Sequence, residues 1–159
     1  MAGEARRDAL PRLDVGVGEA LVVEHGGRAV AGADAARRGV EVHTDLHAAR
    51  TAHRLYFLHA YGWDETPGTP VLTYRIRYVD GATADFVCRA KAEIGPWHGD
   101  FVPSDAKLAV ESSNAVLGRV NVQCARWENP RPDVEILGIG PISARSAAVP
   151  VIVAITAER

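Results

Sequence analysis

The sequence predicts an all-β fold, an antiparallel β-sandwich or jelly roll of roughly eight to ten short strands with little helix. The first observation behind this is the segment Val71 to Asp85. Leu72, Tyr74, Ile76 and Tyr78 alternate with Thr73, Arg75 and Arg77. Successive side chains of a strand point to opposite sides, so the pattern describes one dry face and one wet face. Asp80-Gly81 then supplies the positive φ angles of a tight hairpin turn, and Phe86 and Val87 belong to the return strand. The second observation is Gly118 to Glu158, which reads strand, Trp127-Glu128-Asn129-Pro130-Arg131-Pro132, strand, strand. Prolines on both sides of Arg131 withhold the backbone donors that a strand or helix would use there. The third is the lack of helix: Ala31 to Arg38, bracketed by Gly32 and Gly39, allows a single turn at most.

Taken in order, Met1 to Arg12 is polar and is expected to be a flexible leader, with residues 13–159 expected to form a single domain. Leu13 to Val17 and Ala20 to Glu24 read as short strands, with Gly16 and Gly18 allowing a bend. Gly16-Val17-Gly18 lacks the third glycine and the following helix of a dinucleotide loop. His25-Gly26-Gly27 is a turn from which Arg28 to Val30 returns, and Val40 to Thr44 is a further strand. His53 to Tyr61 carries apolar groups on both faces, the mark of a strand covered on both sides. Lys107 to Glu111 fits a short edge strand, and Leu117 to Trp127, Glu135 to Ser143 and Pro150 to Thr156 complete the set. Gly138 and Gly140 suggest a bulge. The unbroken apolar run Val151 to Ile155 predicts a central, buried last strand. The expected interior is Val151, Val153, Ile155, Tyr74, Ile76, Phe57 and Val122.

With 159 residues, 47% hydrophobic and 24% charged, the chain has the composition of a globular domain able to bury a core. A net charge of -2 supplies no basic field for a phosphate backbone, so nucleic acid is not an expected partner. No stretch approaches the ~20 apolar residues of a membrane-spanning helix. The polar N-terminus lacks the apolar run of a secretory signal, and the expected location is cytoplasmic. In that setting Cys88 and Cys124 are expected as buried free thiols, although a disulfide is compatible with two strands that face each other.

Five blocks in succession carry a resemblance: Arg54-Leu55-Tyr56-Phe57-Leu58-His59-Ala60, Tyr74-Arg75-Ile76-Arg77-Tyr78-Val79-Asp80-Gly81, Ile94-Gly95-Pro96-Trp97, Trp127-Glu128-Asn129-Pro130 and Ala154-Ile155-Thr156-Ala157. In order and spacing, from His53 to Glu158, they resemble the galactose-binding-like β-sandwich segments, modules of carbohydrate-binding type, found on bacterial glycoside hydrolases. The resemblance implies a jelly roll and carbohydrate as the partner. A lone module of this kind either binds sugar by itself or serves as an accessory subunit, as a homo-oligomer or beside a larger catalytic chain.

Sugar recognition needs flat aromatic faces beside hydrogen-bonding groups. Trp63 with Asp64, and Trp97 with His98 and Asp100, have that composition in two separate loops. The plainer reading is that Trp63 and Trp97 cover the open ends of the core. Trp127, next to the proline-rich turn, is expected to be structural, with Glu128 and Asn129 satisfying turn backbone.

The competing reading is a small cupin-like metalloenzyme. His43, Asp45 and His47 would share one face of a continuous strand, the two-imidazole, one-carboxylate set of non-haem iron sites. The polar surroundings of that stretch favour surface histidines instead. Asp100 with Glu128 is the one carboxylate pair to inspect for glycosidase geometry. Ser112-Ser113 has no evident base, so nucleophilic catalysis has no support. A non-catalytic carbohydrate-recognition module therefore leads, with no cofactor required and a structural calcium compatible with oxygen-rich loops. A scaffold subunit is the remaining alternative.

Overall fold

A computed structural model describes residues 20–21, 51–116 and 118–159. Its strands are β1 (Ala20–Leu21), β2 (Arg54–Gly62), β3 (Pro70–Tyr78), β4 (Thr83–Arg89), β5 (Ala106–Asn114), β6 (Gly118–Glu128), β7 (Ile136–Ser143) and β8 (Val149–Glu158). One sheet has the order β1-β8-β2-β6-β5 and the other β4-β3-β7, with every paired neighbour antiparallel. The chain crosses between sheets after β2, β4, β6 and β7. The result is an all-β sandwich, and no helix occurs among the described residues. None of it is therefore a helix long and apolar enough to cross a membrane. Apart from Ala20–Leu21, the strands and the helical turn expected before His53 lie outside the described residues.

The β3–β4 hairpin follows the sequence pattern. Leu72, Tyr74, Ile76 and Tyr78 are fully buried, while Arg75 is exposed and pairs with Asp85 across the strands at 2.8 Å. Gly81 takes φ +84° in the turn, and the Asp80 side chain accepts the Ala82 N–H at 3.1 Å. From the opposite sheet, β2 contributes Leu55, Phe57, His59 and Tyr61 to the interior. Phe57 joins the layers by stacking on Tyr74 with ring centroids 4.2 Å apart. Ile76 and Ile155 are interior as expected, as is the free thiol Cys88; Cys124 is also a free thiol but is only half-buried, against expectation.

Three expected core residues are not inside. Val151 and Val153 are each 50% exposed, and Val122 is only half-buried. The β2–β8 register shifts between Leu58 and His59: Leu58 faces Ala154, but His59 faces Ile152. Val153 is the extra residue of a β-bulge, and such an insertion reverses which side chains point inward beyond it. Ile155 and Ile152 therefore point into the sandwich, and Val151 points out. On β6, Gln123, Ala125 and Trp127 lie opposite His59, Phe57 and Leu55, so Val122 belongs to the outer face.

The bulge expected in β7 is present, at Leu137, where Arg77 faces Gly138 but Tyr78 faces Ile136. The glycine there has a second cause. A Cβ on Gly138 would lie 3.2 Å from the Arg77 guanidinium, which spreads across this part of the sheet.

Candidate functional site

The short connection from β2 to β3 places the end of β2 and the start of β3 at one end of the sandwich, and the loop between them carries Trp63 and Asp64. The segment after β4 carries Trp97, His98 and Asp100 to the same end. Trp97 N–H donates to the Tyr61 carbonyl at 2.9 Å. A Cβ on Gly62 would lie 3.7 Å from the Trp97 indole nitrogen, so the residue before Trp63 packs directly under Trp97. The two aromatic loops foreseen from composition thus share one rim.

Trp63 is 70% exposed and adopts φ +62°, a left-handed conformation that is costly for a bulky residue. Trp97 is 36% exposed, and its ring stands perpendicular to that of His98 with centroids 5.5 Å apart. Both indoles reach solvent, Trp63 over most of its surface and Trp97 over about a third. Phe101, exposed and under the Lys91 ammonium that pairs with Asp64, adds to the apolar part of the rim.

Polar groups surround these rings. Asp64 is paired with Lys91 at 3.2 Å, and this bond, reinforced by the Glu65 backbone, holds its carboxyl below the usual range. Lys91 also sits 5.9 Å from the centre of the Phe101 ring and takes φ +63°. Asp100 pairs with Arg119 at 3.2 Å, and Arg119 reaches Glu111 at 3.0 Å. Lys91 and Arg119 had no motif to mark them; only the fold brings them to this rim.

Beneath the rim lies Tyr61, fully buried, whose hydroxyl has no hydrogen-bond partner among the described residues. Burial, then the charges of Asp64 and Glu65, push its pKa up to about 12. Next to it His59 is enclosed. Its Nε2 lies 3.0 Å from the Glu93 carbonyl, which only accepts, so Nε2 carries the proton and Nδ1 accepts from the Tyr74 hydroxyl at 3.0 Å. Burial lowers the His59 pKa to about 4, which keeps the ring neutral.

Other candidates fall elsewhere. Asp100 is at the rim, whereas Glu128 closes the far end of β6, where it bonds Arg54 at 2.9 Å and Arg126 at 3.2 Å. Eleven strand residues separate those ends, on the order of 30 Å, far beyond the spacing of a glycosidase pair. Those same bonds correct the turn role expected for Glu128. Asn129 does hold the turn, accepting the Arg131 N–H at 3.0 Å and donating to the Arg131 carbonyl at 3.2 Å. Trp127 packs on the core. Ser112 and Ser113 lie on the edge strand β5. His43, Asp45 and His47 lie outside the described residues, and among those described no group of three or more His, Cys, Asp or Glu is placed to hold a metal. Compared with known proteins, the chain matches no protein-family model, no curated protein and no solved structure.

Proposed function

We propose that the protein recognises carbohydrate at the Trp63–Trp97 rim, as a non-catalytic module or as an accessory subunit of a carbohydrate-active assembly. The observation that carries this reading is the convergence of two solvent-facing indoles, from loops more than thirty positions apart, beside Asp64, His98, Asp100, Lys91 and Arg119. A pyranose ring offers a C–H face that stacks on an indole and hydroxyls that both donate and accept. Exposed carboxylates paired with cations supply both roles, and their near-balanced charge suits a neutral ligand. The ordered resemblance to galactose-binding-like modules supports the same conclusion, as does the sandwich that holds these loops at one end. Association as a homo-oligomer or with a larger catalytic chain belongs to this reading, and no cofactor is assigned to the rim.

A glycan array followed by titration calorimetry on the best hits tests it. Trp97→Ala removes a stacking face and is expected to weaken binding by about 2 kcal/mol, some thirtyfold. Trp127→Ala is expected to lower stability and leave the affinity of the folded fraction unchanged. Absence of binding to any saccharide at millimolar concentration would overturn the proposal and leave a scaffold subunit as the better explanation.

A further inference from the structure

The segment carrying Trp97 and His98 behaves as an inserted strand. β2 and β6 pair directly as far as His59 and Gln123. Beyond that point Gly95 to Gly99 fills the opening between them. Tyr61 N–H donates to the Gly95 carbonyl and Trp97 N–H to the Tyr61 carbonyl, both at 2.9 Å. On the other side Asn121 N–H donates to the Trp97 carbonyl at 2.8 Å and Gly99 N–H to the Arg119 carbonyl at 3.0 Å. Trp97 is therefore bonded to both neighbouring strands.

Two buried amides stand where the strands fork. Gln123, fully buried, accepts the Gly95 N–H at 3.3 Å and donates to the Pro96 carbonyl at 3.1 Å and to the Asn121 side-chain oxygen. Asn121 donates in turn to the Gly99 carbonyl at 2.9 Å. Both ends of the inserted segment are thus held by side chains of β6. Pro96 has no N–H, so the backbone alone makes no continuous ladder at the point of entry. Gly95 fits the same purpose: a Cβ there would lie 2.7 Å from Pro103 Cγ and 3.2 Å from Gln123 Cδ. Ala125 and Trp127, the next inward positions of β6, are apolar. Burying an amide is costly unless it is bonded, and here the bonds all run to or beside one segment.

We infer that Gln123 and Asn121 are positioning residues for carbohydrate recognition, holding Trp97 and His98 in place before ligand arrives; this rests on the carbohydrate reading of the rim. Ordering the segment in advance removes a cost that binding would otherwise bear.

The test combines amide hydrogen exchange in the ligand-free full chain with calorimetry on the best saccharide from the array. Gln123→Leu is expected to lower protection of the Trp97 and Gly99 amides about tenfold or more, spare the Ala82 and Arg131 amides, and weaken binding about tenfold. Gln123→Glu provides the rescue. Burial favours its neutral carboxyl, which accepts from Gly95 and donates its one O–H to Pro96 while giving up the bond to Asn121, so partial recovery of affinity is expected at pH 5.5 and loss at pH 8. Asn121→Ala removes the bond to the Gly99 carbonyl and one partner of Gln123, so it should lower protection most at Gly99 and weaken binding less than Gln123→Leu; it provides the measurement if Gln123→Leu does not fold. Unchanged protection in Gln123→Leu, or reduced protection with unchanged affinity, would overturn the inference. A wild-type protein that binds no saccharide would instead overturn the rim reading, and this inference with it.

Discussion

The two ends of the sandwich treat their aromatic residues in opposite ways. At the end opposite the rim, Tyr78 is fully buried and its hydroxyl donates to Asn129 Oδ1 at 2.5 Å. Asn129 donates to the Ala52 carbonyl at 2.7 Å. Arg131 grips both Asp80 oxygens and lies 4.9 Å from the Tyr78 ring centre, which ties the hairpin turn to the β6–β7 turn. At the rim, Trp63 is mostly exposed in a left-handed conformation, and Tyr61 keeps a buried hydroxyl unbonded among the described residues. One end satisfies the polar groups named here within the fold, whereas the rim, beside its bonded groups, keeps a strained indole at Trp63 and an unfilled hydroxyl at Tyr61 among the described residues. Uncompensated strain and orphaned polar atoms cost stability, and such features gather where a surface serves a ligand.

The largest effect should come from breaking the well-bonded end. Asn129→Ala strands the Tyr78 hydroxyl and the Ala52 carbonyl, so a loss on the order of 3 kcal/mol in urea unfolding is expected. Sugar affinity of the folded fraction should not change. An effect below about 0.5 kcal/mol would erase the contrast between the ends.

Acid should act on the rim side. The folded pKa of His59 is about 4, below its unfolded value near 6.5, so the unfolded chain binds more protons between those pH values. Stability from the neutral ring is thus full above about pH 6.5 and lost as pH falls toward 4, by up to roughly 3 kcal/mol. Denaturant melts at pH 7 and pH 4.5 measure it, and His59→Gln should flatten that interval. Exchange at Lys91 to Ile94, which His59 holds through the Glu93 carbonyl, should rise first.

Two smaller substitutions sharpen the comparison by raising stability. Tyr61→Phe removes a buried hydroxyl that has no partner among the described residues and should stabilise the ligand-free protein by about 1 kcal/mol. Trp63→Gly relieves the positive φ and should be neutral to stabilising by about 0.5 kcal/mol, while reducing saccharide binding. Thermal melts and calorimetry on the same samples read both quantities. Destabilisation by either change would mean that the rim is built for stability after all.

Much of the architecture was legible because it is local. The alternation of Leu72, Tyr74, Ile76 and Tyr78, the Asp80-Gly81 turn and the proline-bounded Arg131 each act within a few residues, and each has its expected form. Trp63 and Trp97 stood out by composition alone, as indoles beside acids in turn-rich segments. Lys91 and Arg119 did not, since a lone cation in a strand or turn has no signature until its neighbours are known. Asn121 and Gln123 were hidden for a related reason. They alternate with Val120, Val122 and Cys124, and that pattern alone assigns the valines to the core.

The sequence by itself determined the strand periodicity, the turns and therefore the sandwich, since backbone alternation and turn chemistry depend on near neighbours. Tertiary structure decided which face of each strand is inside. One extra residue at Val153 turned Val151 outward, and a segment from another part of the chain gave Gln123 and Asn121 their partners. Register and insertion are set by pairing between residues far apart in the chain, and a side chain's environment follows from that pairing rather than from its own neighbours.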